Sequence, residues 1–578
     1  MKKARYAIFS FLILSSFALF TNSKVLIVPP AKAQLKTEVV PERSAGEVWV
    51  NTTFSNNMVL QRNKQVKIFG YGGSVGDVVS VTFNDQTKAG VVAEGGWAVY
   101  LDPMRENKVG QDLKITYKTQ EITFSNVVVG DVLLCSGQSN MEFKLEYFVA
   151  KRPSMQSEYM SLSNYQNIRV YDASAVYLEK STPTIYSETL GREWKVLANN
   201  YEAIRKTSAY ALAAASNYSS VVGDEVPVGL LIAAIGGTYI EEWLDSASVA
   251  QVNSYAGNRN CRFYNAYIHN LAGYTVNSLL WYQGENNSEP RMVSDYKVAF
   301  ALFLNLYRTI FSDADLPVIV QQLSQYNSWT EISYMREAQW QFMTMFSEVY
   351  TIPGADTGDL NQYDDIHPTD KWLLGQRVAG TLAFANDMPP SSMLNQNIPY
   401  GIACEIISTT YEKQGEYKVI TLVTTNENDV WHAADDITGF EVYSNYRWKE
   451  AGARVIDGKI KVFTTLDDIT KVRYNWYNGY LNSGSMNYVK MGEPVYVYDE
   501  RNLPLVISSG VEVIEEEALP PNSEDTGPIS LPTTSSEPPV VENNDGNALK
   551  VVAIVGGGVL SAGLVAGIII FFIKRRKV

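Results

Sequence analysis

The chain has 578 residues, 46% of them apolar and 19% charged, which is enough for several packed domains rather than one. A formal charge of −14, with no basic patch away from the two ends, argues against nucleic acid as a partner. Three cysteines, Cys135, Cys261 and Cys404, are too few for a disulfide framework. No Cys/His cluster has metal-ligand spacing, so neither a metal nor another cofactor is expected.

The chain opens on the basic Met1-Lys2-Lys3-Ala4-Arg5, followed by an apolar run from Tyr6 to Phe20 and the small-x-small triplet Ala31-Lys32-Ala33. This is the layout of a secretory signal peptide, read here as residues 1–33. Residues 46–128 read as an N-terminal β domain. Val79-Ser80-Val81-Thr82-Phe83-Asn84 alternates apolar and polar, and glycine turns such as Tyr71-Gly72-Gly73 and Glu94-Gly95-Gly96 separate the runs.

From residue 129 the pattern changes. Gly130-Asp131-Val132-Leu133-Leu134-Cys135 suits a strand buried on both faces, and Ser136-Gly137-Gln138-Ser139-Asn140 is small and polar, forcing a tight turn with Ser139 at its tip. A serine on a strand-to-helix turn is how several hydrolases expose a hydroxyl nucleophile. That geometry needs a base, and the chain has three histidines. His367, in Asp364-Asp365-Ile366-His367-Pro368, has carboxylates close enough to hold its ring in the tautomer that takes a proton from serine. His269 and His432 read first as hydrogen-bonded structural histidines, with substrate contact as the second reading.

Two further strand-like runs end in comparable turns. Val228 to Ala234 leads into Gly236-Gly237-Thr238, and Ser278-Leu279-Leu280 leads into Trp281-Tyr282-Gln283-Gly284-Glu285-Asn286-Asn287. With strands over Ile168–Tyr171 and Leu316–Val320, a helix over Asp295–Phe311 and another around Arg336–Gln339, residues 129–390 read as alternating strands and helices. The alternation implies a mainly parallel sheet whose carboxyl-end turns converge on one crevice. Residues 398–510 return to β structure, as in Lys418–Val423 and Lys459–Phe463.

Residues 511–549 are acidic and rich in Pro, Ser, Thr and Asn, the composition of a disordered stalk. Residues 550–573 contain the uncharged Val551–Ile573, long enough for a bilayer core of ~30 Å at ~1.5 Å per residue. The basic tail, 574–578, is then cytoplasmic by the positive-inside rule. The expectation is a single-pass cell-membrane protein with its catalytic part outside the cell.

Gly-Gln-Ser-Asn-Met, Gly-Gly-Thr, Trp-Tyr-Gln-Gly-Glu and Asp-Ile-His-Pro, in this order and at these separations, resemble the sialate O-acetylesterase family of SGNH (GDSL-type) hydrolases. The resemblance covers about Phe54 to Leu505. It implies an α/β fold with an SGNH-hydrolase, flavodoxin-like parallel sheet core, flanked by β-sandwich-like domains and followed here by the transmembrane helix. It implies Ser139 and His367 as catalytic pair. The superfamily pattern selects Asp364 as their acid, whereas the family's own Asp-Ile-His-Pro selects Asp365. It also implies an oxyanion site built from the N–H groups of Ser139 and of the Gly236-Gly237 turn, with the Gln283 amide. Gln138, Asn140, Glu285 and Asn287 stand in the same motifs as substrate-contact candidates, Glu285 also reading as a buried structural acid. Asn286 and Ile235 depart from the family pattern. The implied activity is removal of acetyl groups from sialic acid or another acetylated glycan. An anionic sugar would call for a cation at the crevice, for which Arg262 and Arg336 are candidates. The competing readings are an inactive glycan-binding protein and a deacetylase of another polysaccharide such as xylan.

Overall fold

A computed structural model describes residues 46–515 except 152–156, 158, 160, 162–164, 184, 186–191, 326–331, 359–364, 369, 393–397, 427 and 477–494. The proposed signal peptide, most of the stalk, the apolar span and the basic tail lie outside the described residues, as does Asp364. Among the described residues no helix is long and apolar enough to cross a membrane.

One strand organises the molecule. β1, Gln120–Gly137, runs for 18 residues; its first half alternates between exposed and partly covered positions, and from Val127 onward it is buried throughout. The sequence explains the change. Gln-Glu-Ile-Thr-Phe-Ser-Asn serves a sheet with one wet face, whereas Val-Val-Val-Gly-Asp-Val-Leu-Leu-Cys has apolar side chains for both faces. The N-terminal half pairs antiparallel with Asn107–Tyr117, and the C-terminal half pairs in parallel with two later strands. Residues 128 and 129, between which the sequence pattern changes, therefore sit inside one continuous strand. The N-terminal β region shares a single apolar core with the residues that follow.

The other strands of the α/β core are β2, Ile168–Asp172; β3, Val228–Ala234; β4, Ser278–Tyr282; β5, Val318–Gln321; and β6, Val349–Ile352. Their order is β2-β3-β1-β4-β5-β6, all parallel, with Lys195–Val196 added antiparallel at the β2 edge. Without β2 this is the doubly wound order 2-1-3-4-5, and the direction in which successive strands are added reverses beside β1. β3 and β4 are buried at every position, as strands covered on both faces must be.

The helices that matter for the site are α1, Ser139–Glu142; α2, Ala209–Val222; α3, Pro290–Ile310; α4, Ile332–Met345; and α5, Lys371–Ala385. Asp370 caps α5 by accepting the Leu373 N–H at 2.8 Å.

Beyond residue 398 a second apolar core forms between two mainly antiparallel sheets. The last described strands, Ser508–Glu512 and Ile514–Glu515, belong to these sheets, and Val511 and Val513 pack against their core. Residues 511–515, expected at the start of the stalk, are thus β structure, because two valines among the acidic residues find an apolar surface to cover.

Candidate active site

Strand register brings the motifs together. Gly137 at the end of β1 lies opposite Ala234 of β3 and Tyr282 of β4, so three strands stop at one level. The next residues are Gln138-Ser139, Ile235-Gly236-Gly237 and Gln283-Gly284-Glu285. Gly137 has φ +144°, and a β-carbon there would lie 2.1 Å from the Tyr282 carbonyl oxygen, so only glycine allows the turn this close to β4. Ser139 is partly exposed while Gln138 and Asn140 on either side are buried.

His367 Nε2 lies 3.0 Å from Ser139 Oγ, although 228 residues separate them. On the far side of the ring, Nδ1 is 2.7 Å from Asp365 Oδ1, which also accepts the His367 backbone N–H at 3.0 Å. A carboxylate accepts, so Nδ1 carries the proton and Nε2 is left free to accept from the serine hydroxyl. Phe143 packs against the imidazole with ring centroids 5.1 Å apart. Asp365, not a more distant acid, is the described carboxylate bonded to the ring. His269 sits beside Tyr264, and His432 is exposed and stacks on Tyr498 in the C-terminal β region.

The four residues read as substrate contacts occupy a different position. Gln138, Asn140, Glu285 and Asn287 are each 2% exposed or less. They bond to one another or to the turns and form the frame behind Ser139 rather than its open face. Asn140 Nδ2 donates to Glu285 Oε1 at 2.7 Å and to the Ile366 carbonyl at 3.2 Å, so it joins the serine turn directly to the histidine loop. Lys371, fully buried at the start of α5, donates to the Asn140 side-chain oxygen at 2.8 Å. Burial pushes the Glu285 carboxyl above its ordinary range, with the Asn140 amide and the Lys371 charge pulling it back. Lys371 was not singled out from the sequence; the signal was its place four residues after His367, on the turn that leads into α5.

Two of the expected oxyanion donors are engaged elsewhere. The Gly236 N–H donates to Glu142 Oε2 at 2.7 Å. Gln283 Nε2 faces three acceptors, Asn287 Oδ1 at 2.8 Å, Thr238 O at 3.0 Å and Gln138 Oε1 at 3.3 Å, so its two protons are already committed. Gln283 is a strut that ties β4 to the Gly-Gly turn. The N–H groups of Ser139, at the first position of α1, and of Gly237, at φ +70°, meet no acceptor among the described residues.

Neither of the two cations considered for an anionic sugar is openly presented to solvent. Arg336 is completely buried. Arg262 pairs with Glu242 at 2.5 Å and with Glu179. Among the described residues one trio of possible metal ligands comes together, Cys404, Asp429 and Asp499 in the C-terminal β region. Arg501 Nη2 lies 2.5 Å from Asp499 and 3.3 Å from Cys404 Sγ, so a guanidinium already fills that position.

Residues 129–383 match the family model described as carbohydrate esterase, sialic acid-specific acetylesterase. The chain is similar to human sialate O-acetylesterase, 25% identical over 382 residues that cover 58% of this chain and 71% of the relative. It is similar to the mouse sialate O-acetylesterase, 26% identical over 411 residues that cover 58% and 73%. Its fold is similar to that of a carbohydrate acetylesterase from Xanthomonas citri, with a TM-score of 0.64, 22% identity, and coverage of 80% of this chain and 99% of that one. Residues 129–383 thus carry the likeness to the sialic acid-specific acetylesterases, and the chain is an esterase.

Proposed function

We propose that this protein is an extracellular, membrane-anchored carbohydrate O-acetylesterase of the sialate type and SGNH class, working through Ser139, His367 and Asp365. The observation that carries the reading is the chain of short contacts from Asp365 through the imidazole to the Ser139 hydroxyl.

His367 Nε2 removes the Ser139 proton as Oγ attacks the acetyl carbonyl, and positioned proton transfer of this kind is worth roughly 10²–10⁴ in rate. Asp365 holds the ring and offsets the charge of the imidazolium. The oxyanion is met by the Ser139 and Gly237 N–H groups, the two backbone donors at the turn with no other partner among the described residues. Collapse expels the sugar oxygen, which takes the proton from His367 and leaves acetyl-Ser139. Water, deprotonated by the same imidazole, then releases acetate and restores the serine. The apolar Val551–Ile573 followed by Lys574-Arg575-Arg576-Lys577 supports a C-terminal anchor, and the N-terminal leader supports export.

Ser139→Ala is expected to lower acetate release from an acetylated sialic acid or acetylated xylan by at least about 10³, with an unchanged circular dichroism spectrum. Activity within tenfold of the natural protein would remove Ser139 from its role.

A further inference from the structure

Glu142 stands in the crevice beside the nucleophile, and the hydrolysis described above has no step for it. It closes the single helical turn that Ser139 opens. A β-carbon built on Gly236 would lie 3.0 Å from Glu142 Oε2 and 3.3 Å from Ser139 Cβ, so the carboxylate and the nucleophile border one small volume. The Gly236 N–H at 2.7 Å fixes Oε2 there. Lys144, the cation that acts on Glu142, spends its ammonium on Asp172 at 2.6 Å. Glu142 is only partly buried, and its second oxygen, Oε1, has no hydrogen-bond partner among the described residues. The molecule thus presents an anchored carboxylate, with one acceptor free, at the edge of the reacting group.

Building on the acetylesterase reading, we propose that Glu142 determines which acetyl esters this site takes. Oε1 accepts a hydrogen bond from a free hydroxyl on the carbon next to the one that bears the acetyl group, and the negative charge rejects esters that carry an anion at that place. A hydroxyl on the neighbouring carbon is one carbon–carbon bond from the ester and within reach of a carboxylate held this close to Ser139. The preferred substrates are therefore vicinal-diol monoacetates, such as a polyol side chain or a sugar ring with one of two adjacent hydroxyls acetylated. No cation for an anionic sugar is needed at this point, which accords with the commitment of Arg262 to Glu242 and Glu179.

The test compares 1-acetoxy-2-hydroxypropane with its isomer 1-acetoxy-3-hydroxypropane, and both with acetoxyacetate, using the full chain. The natural protein is expected to favour the vicinal isomer in kcat/KM by about tenfold, the lower end of what a hydrogen bond to an ionised acceptor supplies. Glu142→Gln keeps an acceptor for the Gly236 N–H but removes the charge. It is expected to bring the two isomers to within about threefold of each other and to raise acetoxyacetate relative to both by about tenfold. An active enzyme that treats the isomers alike, or a variant that loses the same factor on all three esters, overturns the inference and leaves Glu142 as a brace for the Gly-Gly turn. An enzyme that releases no acetate from any of the three overturns the acetylesterase reading, and this inference with it.

Discussion

Glu285 has one oxygen on Asn140 and another, fully enclosed, without a partner among the described residues. Burial raises its pKa above the ordinary 4.5, so the folded protein binds this proton more tightly than the unfolded chain does. The folded state then holds more protons than the unfolded state as pH rises from 4.5, and the contribution of Glu285 to stability falls with pH until the raised pKa is passed. Glu285→Gln removes that dependence while keeping the acceptor for Asn140. The stability of the variant minus that of the natural protein is expected to climb between pH 4.5 and neutrality, by at most about 1.4 kcal/mol per pH unit. Thermal unfolding of both proteins across that range checks it, and a flat difference would mean that Glu285 is solvated. At this scale the contact of Ser139 with His367 was legible because a serine after a buried strand and a histidine beside acids have few other uses. The roles of Gln138, Asn140 and Asn287 were not. A motif names residues near the chemistry without saying which side of the turn they face, and these three point inward. Gly236 and Gln283 were misread for a related reason: Glu142 and Asn287 reach their donors first, and neither contact leaves a trace in the spacing.

The site depends on helix α5 being where it is, since Lys371 at its start holds Asn140. α5 lies very close to α2. A β-carbon on Gly375 would sit 2.5 Å from the Ala213 backbone carbon and 2.6 Å from its β-carbon. Alanine is the better helix former by about 1 kcal/mol, but overpacking a contact against backbone costs about 1–3 kcal/mol, so packing is the larger effect. Gly375→Ala is expected to destabilise the protein by about 1–2 kcal/mol. A fall in the urea midpoint measures this, and an increase would show that the helices separate freely. α2 did not stand out in the sequence, and its burial explains why. α2 is Ala-Tyr-Ala-Leu-Ala-Ala-Ala-Ser, covered on nearly every side, and so has no polar face to mark its period. α3 was legible because Ser294, Asn305 and Thr309 lie on a face left towards solvent while Phe300, Phe303 and Tyr307 go inward. β3 and β4 were legible for the opposite reason, short apolar runs bounded by glycine turns.

Over the whole molecule, the proposed chemistry and the proposed membrane anchor occupy separate parts of the chain. Every residue assigned here to catalysis or to the frame behind it lies between Gln138 and Lys371. The C-terminal β region grips that domain from outside: Tyr498 donates to Asp356, which forms a fully buried pair with Arg377, and Tyr496 donates to the Ala355 carbonyl. Removal of 550–578 should therefore leave both apolar cores and the triad intact. With 23 consecutive uncharged residues, Val551–Ile573 has the length to span a bilayer core of ~30 Å as a helix, and four cations at its end resist passage through the membrane. The full chain expressed in its host is expected to stay with the membrane pellet after an alkaline carbonate wash. A chain ending at residue 549 is expected to move to the soluble fraction with its kcat/KM for a soluble acetyl ester within twofold. Full-length protein in the carbonate supernatant would show that the apolar segment does not span the membrane. A truncated protein that is soluble but inactive would show instead that the segment supports the fold, which no contact between residues 46 and 515 requires.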